Sequence, residues 1–136
     1  RDRLNDHELR IHHPDQPITV KADSSHLQQI VSNLLENALK YGQRAAGRWL
    51  EIRYGHISHT HRPYLEVADR GSGIPADRTE HIFEPFFSLG SGGSGLGLFI
   101  ARELAQCNGA MLIYEPRQGG GSIFRLSFSD PKRWEK

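Results

Sequence analysis

The sequence predicts a two-layer α/β sandwich, with helices covering one face of a mixed, mostly antiparallel sheet. Three observations lead there. Two segments, Leu27 to Tyr41 and Gly97 to Cys107, carry apolar residues at helical spacing on one side only. Short alternating or continuous runs of strand-forming residues lie before, between and after them. The chain has 136 residues and is 37% hydrophobic, which suits one domain around one core. A helix with a single apolar stripe must bury it against something, and the interspersed strands supply a sheet.

Taken in order, Leu9 to Ile11 and Ile18 to Ala22 read as two short strands around the turn His13-Pro14-Asp15-Gln16-Pro17. Asp23, Ser24 or Ser25 can cap the first long helix, which runs to Tyr41 and stops at Gly42. Trp49 to Ile57 and Pro63 to Asp69 form an antiparallel pair joined by the loop His59-Thr60-His61-Arg62. Ile74 to Phe83 holds a short helical segment begun by Pro75, and Gly90 to Gly95 is a flexible Gly/Ser loop. The second long helix spans Gly97 to Cys107 and ends at Asn108-Gly109. Ala110 to Glu115 and Ser122 to Ser129 then pair around the Gly119-Gly120-Gly121 turn.

Composition excludes several functions. A formal charge of +1 provides no whole-domain attraction to nucleic acid or to an anionic membrane. No stretch approaches a membrane span and no signal-peptide pattern opens the chain. The single cysteine, Cys107, allows no internal disulfide, in keeping with a reducing cytoplasm, and its helix-end position suits a small buried filler.

The first helix carries the most informative pattern. Leu27, Ile30, Val31, Leu34, Leu35 and Ala38 form its apolar face, while Asn33, Asn37 and Lys40 align along a neighbouring stripe. At about 100° per residue that stripe lies roughly 120° from the centre of the apolar face, so it borders the core without entering it. Two asparagines gain little for a helix, but their carbonyl oxygens are hard ligands for Mg²⁺, and Lys40 can meet a phosphate.

Three further motifs fit a nucleotide. Asp69-Arg70-Gly71-Ser72-Gly73 places a carboxylate at a strand end beside two glycines, where it can accept from an exocyclic amine such as that of adenine; the same pattern also occurs as a plain tight turn. Gly93-Ser94-Gly95-Leu96-Gly97 opens the second helix with outward-pointing N–H groups and a positive dipole end, or else is only a linker. Ile82-Phe83-Glu84-Pro85-Phe86-Phe87 is an aromatic cluster, at least two of whose three Phe side chains should pack in the core while the cluster anchors a lid.

These four elements, in this order, resemble the N, G1, F and G2 boxes of the sensor histidine kinase catalytic domain. The resemblance runs from about Ile18 to Phe128, the core of a single 1–136 domain. It implies the Bergerat fold shared with gyrase and HSP90. Asn108-Gly109-Ala110 and Gly121-Ser122-Ile123-Phe124-Arg125 look most like the nitrogen-regulation and type IV pilus sensor kinases. The resemblance implies ATP and Mg²⁺ as cofactors, with Asn37 on the metal, Asn33 supporting metal or phosphates, Lys40 on the phosphates and Tyr41 lining the site. Asp69 would read the adenine amine, with Gly71, Gly73, Ile74 and Phe86 shaping the pocket. Backbone at Gly93, Ser94, Gly95, Leu96 and Gly97 would hold the triphosphate. Asn37 and Lys40 would carry the catalytic positioning.

The implied reaction is transfer of the γ-phosphoryl group to a histidine on a separate helical dimerisation domain, with a response regulator further downstream. No contact with nucleic acid or membrane is expected, and the isolated domain should be a monomer from the cytoplasmic part of a membrane-anchored sensor. His7-Glu8-Leu9-Arg10 mimics a phosphoacceptor motif, but Ile11-His12 replaces its Asn-Pro, so an opening strand is the better assignment. His56, His59 and His61 fall in a hairpin loop without ligands arranged around them.

The lid, Ser88-Leu89-Gly90-Ser91-Gly92, lacks the Lys or Arg that many relatives place there, which implies weak nucleotide grip. Three alternatives compete. A hydrolytic ATPase would need a glutamate one turn before Asn37, where this chain has Asn33. An anti-sigma serine kinase module would lack the Phe83 to Phe87 box. A degenerate nucleotide-binding module would bind ATP without transfer.

Overall fold

The computed structural model describes residues 8–41, 49–87 and 95–129. Gly42, the 88–92 lid, Gly93, Ser94 and His7 lie outside the described residues.

The elements follow one another as β1 (Glu8–His12), α1 (Ser24–Tyr41), β2 (Trp49–His56), β3 (Pro63–Asp69), α2 (Gly97–Cys107), β4 (Met111–Pro116) and β5 (Ser122–Ser127). The five strands form one sheet in the order β1-β2-β3-β5-β4. Only β1 and β2 pair in parallel, with Leu9 opposite Leu50; the other neighbours are antiparallel. The mixed, mostly antiparallel sheet is therefore as expected.

Strand alternation decides which face is covered. Leu50, Val67, Phe124 and Leu126 point inward and are nearly inaccessible, and Ile30, Leu34 and Ala38 of α1 with Ala101 and Ala105 of α2 close over them. The opposite face is charged. Arg53, Glu66 and Arg125 sit directly opposite one another on β2, β3 and β5, with Arg125 Nε 2.9 Å from Glu66 and Arg125 Nη2 2.9 Å from Glu115. Cross-strand ion pairs of this kind keep the uncovered face soluble and in register.

Of the three candidate caps for α1, Asp23 does the capping. Its Oδ1 accepts from the Ser25 hydroxyl (2.7 Å) and from the backbone N–H of His26 (3.0 Å) and of Ser25 (2.9 Å), and these bonds, the hydroxyl's foremost, lower its pKa. Asn108, just past α2, accepts from the Asp23 N–H at 2.8 Å and donates to Leu104 O at 2.7 Å. The end of α2 thus meets the start of α1, and the helices run antiparallel.

Three expectations need correction. Ile18 to Ala22 is not a strand: it has no ladder partner, and Val20 and Ala22 dock against the core instead. Ile74 to Phe83 is not helical: bonds from Arg78 N–H to Pro75 O, His81 N–H to Arg78 O and Glu84 N–H to His81 O stack three-residue turns. Burial of Ile82, with Phe83 beside it, holds that ribbon down. Cys107 is exposed rather than buried, because Ala101 and Ala105 supply the packed face of α2. Among the described residues no helix is long and apolar enough to cross a membrane.

Candidate functional site

Asp69 ends β3 on its inward face and is only 4% exposed. Its Oδ1 accepts from the Gly71 N–H at 2.8 Å, and the Ser122 N–H also donates to the carboxylate. Burial pushes its pKa above the ordinary carboxylate range, opposed by those two N–H groups and by the charge of Arg117. A carboxylate has acceptor capacity for about four bonds, so two backbone donors leave room for an incoming amine.

The turn before β5 makes this arrangement fit. Gly121 has φ +106°, and a Cβ there would lie 2.0 Å from the Asp69 carbonyl oxygen. Only glycine can bring the two backbones together in this way. Gly73 follows the same wall, with its missing Cβ 3.4 Å from Gly121 O, and Gly71 is buried. Ile74, packed on the core margin, turns its N–H toward the Tyr114 hydroxyl at 3.4 Å. Tyr114 and Phe83 both flank Phe124, with ring centroids 5.5 and 6.1 Å from it.

The polar stripe of α1 behaves differently. Asn33 and Asn37 are half-buried and Lys40 is exposed, while Tyr41 closes the helix. Asn33 Nδ2 donates across to Gly97 O at 3.0 Å, and Gln29 Nε2 donates to Asn33 Oδ1 at 2.7 Å. Gly97 opens α2; its N-cap is Leu96, whose side chain has no capping group, and the first turn holds no acidic residue. The first turn of α2 itself thus places no negative side chain against the positive end of the helix dipole.

The aromatic segment adjoins this helix start. Phe83 and Phe87 pack against the core, whereas Phe86 is 76% exposed with φ +68°. The Phe86 N–H donates to Gly95 O at 2.8 Å, and a Cβ on Gly95 would come within 2.5 Å of the Phe86 backbone. His81 Nδ1 donates to the Glu84 carboxylate at 2.9 Å, and the acid raises the His81 pKa. A groove of about 910 Å³ opens between α2, β4 and the 74–83 turns; it shares Ile74 and Tyr114 with the Asp69 corner, but neither Asp69 nor a residue of α1 lines it.

The described site residues thus fall into two groups. Asp69, Gly71, Gly73 and Ile74 form one corner; Asn33, Gly97, Leu96 and Gly95 converge on the second, with Asn37 and Lys40 further along the α1 stripe. Four contributors escaped the sequence patterns: Gln29, Tyr114, Gly121 and Ser122. Gly121 carried a signal, since three consecutive glycines exceed what a turn needs; the others had none.

Residues 22–132 match the family described as histidine kinase-, DNA gyrase B- and HSP90-like ATPases. The chain belongs to this family. Within it, the similar proteins are sensor histidine kinases. Sensor protein kinase PilS of Pseudomonas aeruginosa is 40% identical over 132 residues, covering 95% of this chain and 24% of PilS. The mycobacterial sensor histidine kinase MprB superposes with a TM-score of 0.81 at 30% identity, over 94% of this chain and 85% of that one. Full-length ShkA, solved in complex with AMPPNP, gives 0.78 at 27% identity, over 93% of this chain and 27% of its own. As a member of the family the chain is an ATPase-type nucleotide-binding domain of the α/β sandwich class. It spans about a quarter of the length of PilS.

Proposed function

We propose that the domain binds Mg²⁺-ATP and presents its γ-phosphoryl group to a histidine on a separate helical dimerisation domain, as the phosphoryl donor of a two-component kinase. Asp69 accepts the adenine amine. Gly71, Gly73 and Ile74 wall the base; backbone from Gly93 to Gly97, where α2 begins, and Lys40 hold the phosphates. Asn37 would supply a neutral oxygen to Mg²⁺, and the metal would neutralise phosphate charge. The buried carboxylate with spare acceptor capacity and the amide stripe fit this ligand set.

One observation carries the choice of transfer over hydrolysis. The residue one turn before Asn37 is Asn33, and both ends of its amide are already engaged, by Gln29 and Gly97. An amide so held is no base for water. Glu36 is exposed and points about 100° from Asn37 on the helix. Such a domain works in the cytoplasm, where ATP is, and as a monomer until joined to its acceptor domain.

The test uses γ-labelled ATP and a separately purified helical acceptor domain. Acid-labile, base-stable phosphate should appear on the acceptor with the wild-type chain and drop at least a hundredfold with Asn37→Ala, on the order expected for loss of one charge-positioning group. ATP turnover equally fast with and without the acceptor would overturn the proposal.

A further inference from the structure

The two hydrogen bonds of Asn33 have a direction. A backbone carbonyl only accepts, so the Asn33 amino group is committed to Gly97 O across a separation of 64 residues. Its Oδ1 is consequently turned back along α1 toward residue 29, where only a donor will satisfy it, and Gln29 supplies one at 2.7 Å. A glutamate at either position would set acceptor against acceptor.

The placement of this relay matters more than its strength. The far end of the helix pair is already held by Asn108, which binds both the Asp23 N–H and Leu104 O. Ala101, Ala105 and, in the first turn, Leu98 pack α2 against the core through apolar contacts alone. At the opposite end lies the first turn of α2, which holds no acidic residue and no side-chain cap at Leu96. Asn33 ties this turn to the stripe carrying Asn37 and Lys40, while the Phe86 N–H holds the preceding Gly95 carbonyl to the aromatic segment.

We propose that Gln29 is a positioning residue of the nucleotide site: by offering a donor to Asn33 it keeps that amide on Gly97 and holds the start of α2 in register with Asn37 and Lys40 for a triphosphate. The role rests on the nucleotide site proposed above, and touches the phosphates only through Asn33 and Gly97.

Three variants separate donor chemistry from size and charge. Gln29→Lys keeps a donor, Gln29→Met keeps the length without one, and Gln29→Glu presents a second acceptor. Without nucleotide, amide hydrogen exchange in the first turn of α2 should quicken about fivefold in the Met variant, more in Glu, and stay near wild type in Lys, while the Asn108 end is unchanged in all three. Mg²⁺-ATP affinity should weaken about fivefold with Met, while adenosine, which has no phosphates, binds all variants alike. In an Asn33→Ala background Gln29→Met should add nothing.

Equal exchange in wild type, Met and Glu would overturn the role, and so would a Met effect that persists without Asn33 or that weakens adenosine as much as ATP. A wild-type chain that binds no Mg²⁺-ATP defeats the nucleotide site instead, and the exchange measurement still decides whether the relay exists.

Discussion

The corner around Asp69 and the corner around Gly97 are both built from glycine and amide groups, yet they are held in opposite ways. At Asp69 the backbone itself is packed: the carboxylate is 4% exposed, and Gly121 leaves no space for a single carbon beside the Asp69 carbonyl. At Gly97 no atom of the described residues outside the helix lies within 4 Å of where a Cβ would be, and α1 reaches its carbonyl through the Asn33 side-chain hydrogen bond. The first corner is part of the core and cannot move without unfolding it. The second is tight where Gly95 meets the Phe86 backbone, but its link to α1 at Gly97 is a polar contact contributing about 1 kcal/mol. Recognition of a rigid base suits the first, and accommodation of a flexible phosphate chain suits the second.

The most severe way to break this contrast is Gly121→Ala. Its Cβ would overlap Asp69 O at a φ of +106°, so unfolding by urea should show a loss of about 3 kcal/mol or more, or no folded protein at all. A loss under 1 kcal/mol would mean that the Asp69 corner is as yielding as the other one.

Next in size is the Asp69 carboxylate itself. Because burial raises its folded-state pKa, the folded chain holds this proton to a higher pH than the unfolded chain does. Its contribution to stability is therefore present below the unfolded pKa and is lost as pH rises through the folded value. ATP binding requires the opposite form. Affinity should fall as pH drops through that raised pKa, and Asp69→Asn should weaken binding roughly tenfold or more and flatten the pH dependence. Calorimetric titration across mildly acidic pH checks both, and an unchanged pH profile in the Asn variant would remove Asp69 from the base site.

The smallest expected effect is at the phosphate corner. Gly97→Ala meets no atom of the described residues and replaces a poor helix former with the best one, so the empty domain should gain up to about 1 kcal/mol in thermal unfolding. On the proposed site its ATP affinity should nonetheless fall, since the methyl group would stand where the phosphates are proposed to approach the backbone. A stabilised variant that binds ATP as before would place the phosphates elsewhere.

Much of this molecule was legible beforehand because periodicity reports burial directly. Ile30, Leu34 and Ala38 are at helical spacing and are buried; Val67 and Leu65 alternate with Glu66 and Tyr64, and they face the core. The helix and hairpin assignments followed from that. Ile18 to Ala22 misled because alternation records which side chains are buried, not whether the backbone finds a partner. The 74–83 turns misled because a Pro start and a few good helix formers do not supply enough bonds to propagate a helix against docking of Ile82. Of the candidate site, Asp69 and the α1 stripe stood out as residue types in unusual places, whereas Gln29 is an unremarkable surface residue until Gly97 is brought opposite Asn33.

By itself the sequence determined which residues are inside, which helix face carries amides, and where glycine is required, since these follow from side-chain chemistry at short spacing. Tertiary structure decided what those groups are used for. It brought Gly121 onto Asp69, committed the Asn33 amide to Gly97 rather than leaving it to solvent, and buried one carboxylate enough to raise its pKa. Each of these depends on the approach of segments distant in the chain, and no local pattern encodes how closely two such backbones come together.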